Sequence, residues 1–324
     1  MTMNQFVLFV LLVLAGIGQA PAAPVASPRD VLEAAIAIAK SNSLHRNTLP
    51  WDTIEPKVRA LAAEAKTSAD VYPAIKYLLA QLGDNHSFLL PPAQTTQFKT
   101  GGAQNPTPTV QALPERVGYV SVPAYSGGEA GAMRTYATRT HEALAGIAGS
   151  SSCGWVVDLR QNGGGNMWPM LAGLKPFLGS AGLGTFESPT GSSPPWIAGQ
   201  AVGVEPPSTL TPLESAWVAV ITGPRTASSG EAVAIAFRGR PRTRSFGQPT
   251  AGLSTANGTF PLPDGAMILL TTAVDADRTG KRYGDKIDPD ERVDPVAAPT
   301  TTGDPALAAA VRWLTQSSGC LKLY

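Results

Sequence analysis

From residue 117 onward the chain alternates short apolar runs with helical patterns, and this alternation limits its fold more than any other feature. Residues 117–123, 155–160 and 216–222 are strand-like, and patterns of helical period follow each of them at 128–147, 166–178 and 230–240. Strands separated by helices pair in parallel through crossovers, and the sheet they form is covered on both faces. Residues 259–274 add a hairpin around Pro263-Asp264-Gly265, and 304–316 a closing helix with Trp313 and Leu314 turned inward. The expected body is therefore an α/β core over 116–318. Hydrophobic residues make up 43% of the chain and charged residues 15%, enough for a sizeable core. The formal net charge is +1 and no basic patch stands out, so nucleic acid and anionic membrane surfaces are not expected partners.

The first residues read differently. A polar start, an apolar run from Phe6 to Ile17 and small residues up to Pro24 predict a signal peptide over 1–23, although the start lacks Lys and Arg. The run is too short to span a membrane, so export of a protein that does not span the membrane is the expectation. Residues 28–90 form a helical cap. Ser27-Pro28-Arg29-Asp30 carries an N-cap with Pro at the first helical position, and Thr67 and Asp70 have capping-box spacing. Two further helices are expected over 51–66 and 67–82, the second stopped by Gly83. Residues 91–115, rich in Pro, Gly, Gln and Thr, predict an exposed loop or linker. The two cysteines, Cys153 and Cys320, are open to two readings, a disulfide or two buried thiols. Neither has a metal-ligand neighbour, and no metal or cofactor is expected. The sequence carries no signal for oligomeric state.

Four segments carry candidate chemistry. In 225–231 a pair of serines, Ser228 and Ser229, stands between a buried strand and a helix start. Helix N-termini favour developing negative charge, so a nucleophile there can be activated, although a plain N-cap is the commoner use of such a serine. His86 is one of three histidines and lies in the turn 82–89, where a general base or a surface residue fits. Gly163-Gly164-Gly165 follow the strand 155–160. Their amides suit an oxyanion hole, while a phosphate loop or tight turn is the alternative; no Walker or Rossmann spacing is present. The polar loop 246–258, with Gly252, Ser254 and Asn257, could line the same cleft.

In this order, the Gly83-Asp84-Asn85-His86 turn, Asp158-Leu159-Arg160-Gln161-Asn162-Gly163-Gly164-Gly165, the Ser-rich segment ending at Glu231, Gly247-Gln248-Pro249-Thr250-Ala251-Gly252 and the segment 283–290 resemble the tail-specific, or C-terminal-processing, serine peptidases (family S41). The resemblance spans about residues 28–295. It implies a crotonase-like ββα core with an N-terminal helical cap, a peptide or protein substrate, Ser228 as nucleophile, and an oxyanion hole from Ser229 with Gly163 or Gly164. Two departures follow. The family's usual lysine base falls on Leu253, which cannot accept a proton, so the resemblance shifts to the tricorn-like Ser/His branch with His86 as base. The interval 87–116 also has no room for the PDZ domain of many members. For the acid assisting His86, Asp285 in the closing segment is the first candidate, with Asp84 and Glu231 as alternatives. Other acyl hydrolases and non-catalytic binders share the fold.

Overall fold

The computed structural model describes residues 26–100, 105–294 and 303–320. The expected signal peptide lies outside them. Among the described residues no helix is long and apolar enough to cross a membrane.

The cap is built from α1 (Pro28–Asn42), α2 (Trp51–Leu61) and α3 (Tyr72–Ala80). Ser27 caps α1 by accepting the Asp30 N–H at 3.1 Å. Asp70 accepts the Thr67 N–H at 2.8 Å ahead of α3. After a turn, β1 (Phe88–Leu90) leads to α4 (Pro92–Thr100) and β2 (Thr109–Leu113). The loop expected over 91–115 thus contains a helix and a strand. Pro92 opens the helix, and β2 is an exposed edge strand fixed by antiparallel pairing with β3 (Val117–Ser121). That pairing is long-range support, which local composition does not show.

The core continues with α5 (Ala130–Ala148), β4 (Gly154–Asp158), α6 (Met167–Gly173), α7 (Lys175–Leu178), β5 (Gly184–Ser188), β6 (Gly191–Ser192), β7 (Val218–Thr222), α8 (Ser229–Ala236), β8 (Thr243–Gly247), β9 (Thr255–Pro261), β10 (Met267–Asp277), β11 (Glu291–Arg292) and α9 (Pro305–Ser317). One sheet has the order β11-β8-β7-β4-β3-β2, with β3, β4, β7 and β8 parallel. Its side chains alternate as period two requires. Trp155, Val157, Val218 and Val220 face α5, α6 and α8, whereas Val156, Ala219, Ile221 and Phe246 face α9. Trp313 stacks edge-on against Trp217 at 5.5 Å, and Leu314 is fully buried. The second sheet is antiparallel: β10 pairs with β1, β5 and β9, and β6 extends β5. The cap packs onto its Ile268 and Leu270 face. This is the crotonase-like α/β core with a helical cap that the sequence leads one to expect.

Cys153 and Cys320 form a disulfide. It ties the end of α9 to the residue before β4. At the other end of the same strand, Arg160 bridges Asp158 at 2.5 Å and Asp304, the N-cap of α9, at 2.6 Å.

Candidate active site

Where the two sheets meet lies a cavity of about 1200 Å³. Ser228, Ser229, Gly163, His86, Thr255, Asn257, Leu253 and Asp275 all line it. Its apolar wall includes Phe88, Trp168, Phe186, Met267 and Leu269.

Ser228 sits at the head of α8 in a conformation that non-glycine residues rarely adopt, with φ 52° and ψ −120°. Its N–H donates to the Glu231 carboxylate at 2.8 Å. Glu231 is fully buried and also accepts from the Thr250 hydroxyl, Gly252 N–H and Leu253 N–H at 2.5, 3.0 and 2.8 Å. This carboxylate therefore fastens the serine turn to the 250–253 loop. Burial pushes its pKa up, against the lowering effect of those four hydrogen bonds.

The glycine loop after β4 presses against the same turn. A Cβ on Gly164, which has φ 104°, would stand 2.8 Å from the Ser228 Cβ. One on Gly230 would meet the Asn162 carbonyl at 2.4 Å. The Ser229 hydroxyl donates to the Gly165 carbonyl at 2.6 Å, and the Ala227 N–H to the Asn162 carbonyl at 3.0 Å. Of the two glycines expected to supply an oxyanion donor, Gly164 has its N–H occupied, donating to Asn162 Oδ1 at 3.0 Å. Gly163 is exposed on the cavity wall. As the first residue of α8, Ser229 has an N–H that no turn of the helix uses.

His86 is held on three sides. Its N–H donates to Asp84 Oδ1 at 2.9 Å, and its carbonyl accepts from Asn257 Nδ2 at 2.8 Å. Its ring Nδ1 shares a hydrogen bond of 2.7 Å with Thr255 Oγ1. Burial holds its pKa below the ordinary value, partly opposed by the Asp84 charge, so the ring is neutral at pH 7.

The three carboxylates expected as partners of His86 are occupied elsewhere. Asp285 is exposed, and its carboxylate accepts the following Lys286 N–H at 2.7 Å. Asp84 closes its own turn by accepting from Ser87 and also takes the Thr271 hydroxyl. Glu231 serves the loops described above. The residue at the histidine ring is Thr255, which the sequence reading missed. Asp275 was missed as well. It is 1% exposed, its Oδ1 has no hydrogen-bond partner, and desolvation, with Glu231 nearby, pushes its pKa up to about 8. No local signal marked either one, because both reach the site through the register of β9 and β10. Two residues expected to bind substrate lie off the cavity wall. Ser254 is buried, donates to the Asp285 carbonyl at 2.6 Å and accepts from Gly284 N–H. Gly252 packs against Asp285 and Lys286. The third, Asn257, does line the cavity.

With this geometry in view, the chain was compared with known proteins. The profile described as peptidase family S41 matches residues 116–293. The nisin-resistance protein of Lactococcus lactis subsp. lactis is 26% identical over 79% of this chain and 80% of its own. A lipoprotein structure from Streptococcus agalactiae superposes with a TM-score of 0.77 at 25% identity, covering 90% of this chain and 97% of that one. The photosystem II D1 C-terminal processing protease superposes at 0.55 with 18% identity, over 89% and 96% of the two chains, a likeness of fold.

Proposed function

The chain belongs to peptidase family S41, and from that premise we propose that it is an exported serine peptidase working through Ser228 and His86. The observation that carries this reading is the shared cavity. Ser228 at a helix head and a neutral His86, with Nδ1 held by Thr255, line the same space, while Leu253 occupies the place of a lysine base. With Nδ1–H donating to Thr255 Oγ1, Nε2 keeps its lone pair for the Ser228 proton.

The steps follow. His86 Nε2 takes the Ser228 proton as Oγ attacks the peptide carbonyl. The Ser229 and Gly163 amides receive the oxyanion, and the dipole of α8 favours the charge. His86 then gives its proton to the leaving amine, and water, deprotonated by the same ring, releases the acyl group. Asp275 takes the assisting-acid place expected of Asp285. A carboxyl group short of partners gains most from a cation forming nearby, so Asp275 and the transient imidazolium stabilise each other.

Export is supported by the signal-like first residues and by the disulfide, which fits an oxidising compartment. The nisin-resistance relative and the lipoprotein neighbour support a peptide substrate met outside the cytoplasm.

A fluorophosphonate tests the pair. The expected adduct maps to Ser228 by mass spectrometry, is absent in Ser228→Ala, and forms at least about 10³-fold more slowly in His86→Ala. Absence of any adduct on folded protein overturns the reading and leaves a ligand-binding member of the fold.

A further inference from the structure

We infer that the free edge of β9 receives the substrate as an added strand, so that the enzyme takes linear, unfolded peptide segments with uncharged side chains on one side of the scissile bond. The inference rests on the serine-peptidase reading and extends it to the substrate.

Among the described residues β9 pairs only with β10, which leaves its other edge open. Residues Thr255, Ala256, Asn257, Gly258 and Thr259 all line the cavity. A strand that meets a cavity through one face presents every second residue, because successive side chains point to opposite sides. A consecutive run is what an edge presents. Gly258 makes the point most directly. It pairs with Leu270, whose side chain belongs to the cap core, yet it reaches the cavity, whereas its neighbour Asn257 pairs with Thr271.

The edge also lacks the usual protection. Free edges are normally blunted by lysine, inward charge or proline, and 255–261 carries no charge and a proline only at its last position. No residue of the strand is buried. The strand is anchored to the catalytic base at two points, through the Thr255 hydroxyl on the His86 ring and the Asn257 amide on the His86 carbonyl. A peptide laid along it is therefore registered against His86 by main-chain hydrogen bonds, as in strand addition. Five residues of strand span roughly 17 Å, enough for four or five substrate residues. Because β9 starts beside His86 and runs away from it, this ladder lies on one side of the scissile bond. Alternate substrate side chains then meet Phe88, Met267, Leu269 and Phe186, an uncharged apolar wall.

The test begins with β-casein, which has no persistent fold. The fluorophosphonate-reactive protein should cleave it, and failure to do so overturns the inference. A ten-residue peptide spanning one mapped cleavage site is then resynthesised with single N-methyl amides at each position. On one side of the cut, methylation at alternate positions should raise KM about tenfold or more, while the intervening positions change it less than twofold. The other side should show no alternation. Equal tolerance at all positions, or losses without alternation, overturns the inference while leaving peptidase activity intact. A protein that fails to react with the fluorophosphonate at all defeats the peptidase reading instead.

Discussion

Asp275 is the residue whose environment departs furthest from that of a free side chain. In the folded chain its pKa lies near 8, while the unfolded chain releases the same proton near the ordinary aspartate value of 3.8. Between those values the native state binds more protons than the unfolded state, so stability must fall as pH rises. The group's contribution is fully present below about pH 4 and is lost through pH 8. A single proton gives a slope of at most about 1.4 kcal/mol per pH unit. Asp275→Asn should therefore flatten the decline of unfolding free energy between pH 4 and 8, measured by urea titration at several pH values. An unchanged slope would mean that Asp275 keeps an ordinary pKa in the fold. At the same scale, the Ser228 turn shows which site residues could be read from sequence. A serine between a buried strand and a helix is a local pattern, visible without partners. The bond from Thr255 to His86 joins residues 169 apart, and the one from Gly164 to Asn162 depends on the conformation of a glycine loop. Such contacts have no local signature, so Asp285 was chosen by position where Thr255 is placed by β9.

Among the elements, the parallel strands and their helices were legible because each carries its own period and caps. The segment 91–115 was not, since β2 is held by its neighbour and α4 has little apolar surface of its own. The element with the clearest energetic consequence is α9. It is clamped to β4 at both ends, by the Cys153–Cys320 disulfide and by Arg160 between Asp158 and Asp304. The disulfide spans 167 residues of chain, so its loss frees a large loop in the unfolded state. Cys153→Ser with Cys320→Ser should lower the unfolding free energy by about 2–5 kcal/mol. Because the Arg160 bridge remains in this double variant, the geometry of the 161–165 loop is expected to persist. Fluorophosphonate labelling of the folded variant should then proceed at close to the original rate. A collapse of labelling in protein with native circular dichroism would show instead that the disulfide itself sets the loop.

At the scale of the molecule, the nucleophile and its base belong to different sheets. Ser228 follows β7 of the parallel sheet, while His86 precedes β1 of the antiparallel sheet, whose other face carries the cap. In a urea titration, labelling of Ser228 should disappear with the first transition that exposes the cap core, even if the parallel sheet survives it. Labelling that outlasts the melting of α1–α3 would contradict this. The divided site has a consequence for the cell that makes the protein. A chain still being synthesised, or kept extended for passage through a membrane, has its cutting parts scattered and digests nothing. Hydrolytic power arrives only with the finished tertiary structure, so folding itself acts as the safety catch that a propeptide provides in other proteases.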